Sequence, residues 1–578
     1  MARSEWYKDM VFYQIWPRSF CDGNGDGIGD LWGVYQKLDY IKSLGVTGIW
    51  FSPLTPSPNA DFGYDVSDYT SIDPDLGDLD IFDKVLRGAH DRGLRVIMDL
   101  VINHTSSEHE WFKQALADAD SPYHDYYFFR KGRKGRDGQL MPPNNWDSLV
   151  GGSAWEYVES LDEYYLHLFD KRQPDLNMDN PAVRQEVEKI MRFWLDRGVD
   201  GFREDVIGFI SKPKKLPDDF LALPGSRGLR LYNFGPHLMQ YLVQFRRDVL
   251  DGYDCMVVGE TPMMPARKAL RLVRRQSSGD RPLDLVFGFD HMAADCMYSE
   301  YLPRPFSLRK LKRAFADWQE TFDGKAWPTL YLENHDHPRV VSRYGSEDLR
   351  VESATALAAS YLFQQGTPFV YQGQELGMTN AHLTSADELK DPQAITHYDA
   401  LVKGGKTPDE AMAVVSRATR DNARTPMQWS ARQNASFSPE LGDVEPWMPV
   451  NPNHDVVNVE DEERNLMSPL NFYRHAIRLR RLLPVVRNGR YHEFKRASTK
   501  VYVYARESQW SRLLVMCSFS KDPVTFGVPD SYGNLTGGTL ALSNYYVQDA
   551  GTDDANQLTL RPYETRIYVF GRDAILVE

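Results

Sequence analysis

Eight short apolar, β-branched or aromatic runs punctuate the chain, each closing in polar residues and followed by a helix-like stretch. They are VFYQIW from Val11, VTGIWFS from Val46, LRVIMDLVI from Leu94, VDGFRED from Val199, CMVVGE from Cys255, LDLVFGF from Leu283, TLYLENHD from Thr329 and TPFVYQG from Thr367. Eight strands alternating with helices is the number that closes a parallel β/α barrel, so the predicted fold is an α/β (β/α)8 TIM barrel. Two irregularities add to it. About 95 residues separate the third run from the fourth where a plain βαβ unit needs about 30. That segment, Thr105 to Gln173, is rich in Asp, Gly, Pro, Tyr and Trp, as an inserted loop-rich lid would be. Beyond NFYRHAIRLRRLL the period shifts to strand alternation, as in KVYVYAR and TRIYVFGR, which predicts a C-terminal antiparallel β domain. The expected division is a barrel over 1–104 and 174–485, a lid over 105–173, and a β-sandwich over 486–578.

Composition removes several classes of partner. The chain has 578 residues with 67 Lys and Arg against 81 Asp and Glu, a net charge of −14. Such a surface repels nucleic-acid phosphates and anionic lipid, and no stretch approaches 18 uncharged apolar residues. Cys21, Cys255, Cys296 and Cys517 lack any C-x-x-C spacing, which argues against a zinc site or a disulfide framework. A soluble cytoplasmic protein, a monomer or weak homodimer without a nucleic-acid or membrane partner, is expected.

In such a barrel the active site lies at the C-terminal strand ends. There stand Asp99, Asn103 and His104 after run three, Arg203 and Asp205 after run four, Glu260 after run five, and His335 and Asp336 after run seven. Two facing carboxylates, one nucleophile and one proton donor, are what glycoside hydrolysis requires. Asp205 and Glu260 are the natural pair. Burial after CMVV would raise the Glu260 pKa, while Arg203, on the same strand face as Asp205, would keep that carboxylate ionised. A plain Arg203–Asp205 ion pair with Glu260 as a helix cap is the blander possibility for each taken singly. Strand-end acids on four runs together are hard to produce by packing alone.

These residues resemble the α-amylase family of glycoside hydrolases, in its oligo-1,6-glucosidase branch. The motifs that carry the resemblance stand in order as DLVINH from Asp99, GFREDVI from Gly201, VVGE ending at Glu260 and NHD ending at Asp336. The resemblance implies Asp205 as nucleophile, Glu260 as acid/base and Asp336 as the carboxylate that holds the sugar's hydroxyls, with His104 and His335 bonding the same ring. It also implies Asp61 and Tyr64 in DFGYD, Phe169 and Gln173 in HLFDKRQPDLN, and Arg424 in RDNARTPMQW as pocket residues, Tyr64 stacking on the sugar. An Asp and an Arg crossing the pocket floor would leave room for one ring, so the enzyme would trim non-reducing ends of a small oligosaccharide. Double displacement with retained configuration would need carboxyls about 5–5.5 Å apart.

Val206, beside Asp205, resembles the choice of relatives that cleave α-1,6 bonds, as does QPDLN; relatives acting on α-1,4 bonds commonly carry Ala or Thr there. Sucrose isomerases carry an Arg/Asp-rich loop where this chain reads FDHMAADCMYSEY. Trehalose-6-phosphate hydrolases need basic phosphate contacts that the sequence does not place. A transglucosylating relative stays compatible with the same motifs, whereas an inactive sugar-binding member would have lost an acid, and all three acids are present. Finally, DGNGDGIGD places Asp22, Asn24, Asp26 and Asp30 with the Ile28 carbonyl so that oxygens can wrap calcium, or magnesium in its place, in a structural site. A metal-free Asp/Asn/Gly turn would use the same residues. No organic cofactor is expected.

Overall fold

The computed structural model describes residues 4–577 except 136, 277–278, 280, 298, 440–443, 533–534 and 549–556. All eight runs form parallel strands: β1 (Phe12–Ile15), β2 (Gly48–Phe51), β3 (Arg95–Leu100), β4 (Gly201–Glu204), β5 (Met256–Glu260), β6 (Leu285–Phe287), β7 (Thr329–Leu330) and β8 (Thr367–Tyr371). Their order is β6-β5-β4-β3-β2-β1-β8-β7. The remaining gap is spanned by the Thr329 hydroxyl donating to the Val286 carbonyl at 2.9 Å, which brings β7 against β6 and nearly closes the ring.

The strands read as unbroken apolar runs because both faces are buried. Inward residues Phe12, Trp50, Ile97, Met256, Val258, Leu285, Phe287 and Phe369 fill the barrel, with Phe12 stacked on Phe369 at 5.0 Å. Their neighbours Tyr13, Ile49, Val96, Phe202, Val257 and Val370 pack outward against the helices. Gly201 opens β4 at φ 149°; a Cβ there would stand 1.8 Å from the Met256 carbonyl oxygen, so only glycine lets β4 lie against β5 at this point.

After β3 the chain leaves the barrel through helix Glu110–Ala117 and an antiparallel sheet of Phe129–Arg130, Glu163–Leu166 and Trp155–Val158. His104 and Asp175 form a β-bridge where this excursion starts and ends. Its aromatic core of Phe128, Trp146 and Trp155 includes Val206, Phe209 and Tyr232 from the segment after β4, which ties the lid to the strand end bearing Asp205. Beyond β8 a helical hairpin, Pro392–Lys403 and Pro408–Ala418, closes over its own small core of Leu389, Ala394, Met412 and Val415. The sequence pattern held no sign of that hairpin.

At the C-terminal end, five antiparallel strands take the order Arg490–Phe494, Val501–Glu507, Ser511–Ser518, Thr565–Gly571, Thr539–Ser543. One face, with Tyr502, Tyr504, Leu513 and Val515, joins the barrel core. The other, with Val501, Val503, Leu514 and Met516, packs against Leu558 and Leu560 of a two-stranded sheet. Alternation thus serves two apolar partners. Among the described residues no helix is long and apolar enough to cross a membrane, and all four cysteines are buried.

Candidate active site

At the C-terminal strand ends lies a cavity of about 340 Å³ whose lining includes Asp61, Tyr64, His104, Phe169, Asp205, Glu260, Asp336 and Arg420. A larger groove, about 920 Å³, runs outside the barrel between helices Ala266–Val273 and Leu308–Phe322 and holds none of the strand-end acids. Chemistry points to the smaller one.

Arg203 organises it from below. On β4 it is in register with Asp99 of β3 and Val258 of β5, and its side chain is 1% exposed. Nη1 donates to Asp205 Oδ1 at 2.7 Å and to Asp99 Oδ1 at 3.1 Å, while Nη2 stands 3.0 Å from Glu260 Oε2. The Val206 amide donates to that same Oε2 at 2.9 Å. Asp205 and Glu260 therefore grip opposite ends of one guanidinium and share a cavity, as paired catalysis requires. Electrostatics correct one expectation. Burial pushes the Asp205 carboxyl well above the ordinary range; Arg203 opposes that rise, and Glu260, Asp99 and Asp336 add to it. Burial likewise lifts Asp99 to about 7 against the pull of Arg203 and Tyr64. Burial thus drives both Asp205 and Asp99 towards the protonated form despite the guanidinium between them.

Asp336 goes the other way. Although burial alone would raise it, His335 Nε2 at 3.0 Å, Arg420 and Arg424 hold it well below the usual carboxylate range. The histidines lose charge instead: burial brings His335 to about 4 and lowers His104, leaving both neutral near pH 7. The Tyr64 ring lies parallel to His335 at 5.3 Å, and its hydroxyl donates to Asp99 at 2.8 Å. One face of the expected stacking tyrosine is thus committed to protein, while the residue still lines the cavity. Gln173 is buried and reaches Asp61 and His104, both at 3.2 Å.

The arginine that crosses the floor is Arg420, not Arg424. Arg420 Nη2 contacts Asp61 at 3.1 Å and Asp391 at 2.7 Å, and Nη1 contacts Asp336 at 3.4 Å. Arg424, fully buried, sits behind the wall: Nε donates to the His335 carbonyl at 3.0 Å, Nη2 reaches Asp336 at 3.3 Å, and the guanidinium lies 4.5 Å over Trp16. Both belong to RDNAR, and the short helix Asp421–Arg424 turns them in different directions.

Comparison with known proteins agrees with this geometry. The family description "Alpha amylase, catalytic domain" matches residues 14–489. An oligo-1,6-glucosidase of Parageobacillus thermoglucosidasius is 43% identical over 571 residues, covering 97% of this chain and 98% of that one. The chain belongs to the alpha-amylase family. Among solved alpha-amylase family neighbours, trehalose-6-phosphate hydrolase of Bacillus licheniformis superposes with a TM-score of 0.91 at 37% identity, covering 98% of this chain and 100% of that one. Isomaltulose synthase from Klebsiella sp. LX3 gives 0.89 at 37%, covering 98% and 99%.

Sequence reasoning missed three polar lining residues of this alpha-amylase family site, Arg420, Glu300 and Gln393, and the apolar Leu149, Phe209, Pro262, Met263 and Phe289. Only Arg420 carried a signal, as the first arginine of the RDNAR motif. The loop expected to hold calcium comes together as a hydrogen-bonded turn. Asp22 accepts from Gly25 and Gly27 amides at 2.6 and 2.8 Å, Asp26 from Ile28 at 2.8 Å, and Asp30 from Gly23, Asn24 and Gly33. Among the described residues no three His, Cys, Asp or Glu side chains stand as a preformed metal cage. The donor set still suits a hard cation: three carboxylates, the Asn24 amide oxygen and the Ile28 carbonyl lie within nine residues, and an oxygen holding one amide keeps a second lone pair.

Proposed function

We propose that this alpha-amylase family glycoside hydrolase is a retaining, exo-acting oligo-1,6-glucosidase that releases glucose from non-reducing ends of isomaltose, isomalto-oligosaccharides and panose. The observation that carries the reading is the join of two features in one cavity: the Asp205/Glu260 pair on a common arginine, and a floor barred by the Asp61–Arg420 ion pair. A barred floor admits a single ring, so the scissile bond is the first from the chain end. Relatives named oligo-1,6-glucosidase at about 43% identity support the linkage, as does Val206 beside Asp205.

The substrate settles which of the two reacting carboxyls is ionised. An anomeric carbon gaining positive charge over Asp205 favours the ionised form there and leaves the proton on Glu260. Asp205 Oδ then bonds to that carbon as the glycosidic C–O bond breaks, and Glu260 passes its proton to the departing oxygen. In the second step Glu260 takes a proton from water as the water oxygen displaces Asp205, restoring the α-configuration. Ionised Asp336, with neutral His104, holds the ring hydroxyls, while His335, fully buried behind them and bonded to Gln14 and Asp336, fixes that carboxylate instead of touching the sugar as expected.

Trehalose-6-phosphate hydrolysis, the activity named for a close structural neighbour, is the second reading. Against it, the only cation lining the cavity among the described residues is Arg420, already bonded to three carboxylates. The reading extends to a structural calcium in the 22–30 loop and, from the acidic charge and the scattered cysteine spacing, to a cytoplasmic monomer or weak homodimer. The deciding experiment incubates the protein with isomaltose, panose, maltose, sucrose and trehalose 6-phosphate and identifies released sugars and their anomers by NMR. Glucose from isomaltose, appearing first as the α-anomer, is expected; β-glucose would overturn retention. Asp205→Asn should abolish turnover while isomaltose still binds.

A further inference from the structure

The cavity has a depth gradient that separates its two sugar sites. Tyr64, His104, Asp205 and Glu260 are 1–6% exposed, whereas Met263 at the other end of the lining is 54% exposed. Glu300, with a side chain 24% exposed against 23% for Asp336, lines the same cavity from a loop that carries none of the acids around the deep ring. It comes from the loop after β6 and is held from beneath. His337, one residue after Asp336, faces Oε1 through Nδ1 at 2.9 Å, and Arg343 Nη1 stands 3.5 Å from the same oxygen.

That clamp makes Glu300 a fixed acceptor. Burial would raise its pKa, but the His337 hydrogen bond, with the charges of His337 and Arg343, brings it down to about 2. Arg343 does not cancel the charge, because its guanidinium is already engaged by Asp295 at 2.7 Å. With Asp61, Asp205, Glu260 and Asp336, five carboxyl groups line the cavity against one arginine, and that arginine is spent on Asp61, Asp336 and Asp391.

From this placement the structure assigns Glu300 as the specificity-determining residue of the outer subsite: its carboxylate accepts hydroxyls of an uncharged reducing-side sugar and repels a phosphorylated one. The assignment deepens the oligo-1,6-glucosidase reading and rests on it. A carboxylate takes sugar O–H donors in charge-assisted bonds. A phosphate brought to the same rim meets a like charge, and among the described lining residues the only guanidinium or ammonium is Arg420, which is already bonded.

The full-length protein tests it with hydrolysis of 4-nitrophenyl α-glucoside as reporter, and with trehalose and trehalose 6-phosphate as competing inhibitors that span both sites. In the wild type the phosphorylated sugar should inhibit at least about tenfold more weakly. Glu300→Gln should narrow that gap to about threefold, Glu300→Lys should reverse it, and Glu300→Asp, which keeps the charge, should keep it. Because each value is a ratio within one preparation, partial loss of folded protein cancels. An equal gap in wild type and Glu300→Gln, or tighter wild-type inhibition by the phosphorylated sugar, overturns the assignment. Wild-type turnover of isomaltose is scored separately, so failure of the oligo-1,6-glucosidase reading shows on its own.

Discussion

Glu204 lies between Arg203 and Asp205, so strand alternation turns it away from the cavity and into the layer between barrel and helices. It is 1% exposed and its Oε2 has no hydrogen-bond partner. Burial, with Asp284 nearby, lifts its pKa from 4.5 to about 8. The folded protein therefore carries this carboxyl protonated at pH 7, where the unfolded chain carries it ionised. Below about pH 4.5 both states hold the proton and the site costs nothing. As pH rises above that, the folded state binds more protons than the unfolded state, and stability falls until the pH passes about 8. At pH 7 the gap of some 2.5 units is worth about 3 kcal/mol, and above pH 8 about 5 kcal/mol.

Glu204→Gln stays neutral at every pH and removes the slope. For a chain of this length unfolding entropy is on the order of 1 kcal/mol per °C, so about 3 kcal/mol corresponds to about 3 °C in Tm. The assay is thermal unfolding of both proteins at one scan rate from pH 4.5 to 8.5. The mutant's Tm, relative to wild type, should climb by about 3 °C between pH 4.5 and 7 and by a further 1–2 °C to pH 8.5. Parallel curves across that range would refute the burial reasoning, because any loss of packing or hydrogen bonding is independent of pH.

Three further outcomes follow from the site. Val206 sits at φ 34°, ψ 42°, in the left-handed region that a β-branched residue rarely occupies, and the backbone there aims its amide at Glu260. Val206→Ala should keep that amide in place and widen the entry, raising the maltose-to-isomaltose ratio of kcat/KM about tenfold; an unchanged ratio would count against Val206 as the linkage gate. Arg420→Gln breaks a buried ion-pair cluster, so kcat/KM on isomaltose should fall by about 100-fold or more and Tm by about 3 °C; near wild-type turnover would show that Asp61 and Arg420 do not bound the sugar. In the 22–30 loop, 1 mM calcium added to EDTA-treated protein should raise Tm by about 2 °C or more, and Asp26→Ala should erase the increment. No shift would leave the loop as a hydrogen-bonded turn.

What was legible in the sequence, and what was not, divides by the range of the interactions involved. All eight strands could be read because each is apolar on both faces, a property of the run itself. Strand-end charged groups followed, since their direction is set by the strand that carries them: Asp99, Arg203 and Glu260 are the last or nearly last residues of β3, β4 and β5. Arg420 and Arg424 show where this stops. They lie four residues apart in one motif, and only the position of Asp61 and Asp391, brought in from a loop and a hairpin distant in sequence, decides which of them faces the sugar. Proton placement is less local still. Arg203 next to Asp205 reads as a simple pair in one dimension, but two further carboxyls arrive from neighbouring strands and change the charge balance around it. The same holds for Glu300, whose loop has no periodicity and whose partners His337 and Arg343 come from the segment after β7. Motifs name the reacting groups; loops that converge from several strand ends fix which substrate reaches them, so proteins 37–43% identical to this chain carry the names oligo-1,6-glucosidase, trehalose-6-phosphate hydrolase and isomaltulose synthase.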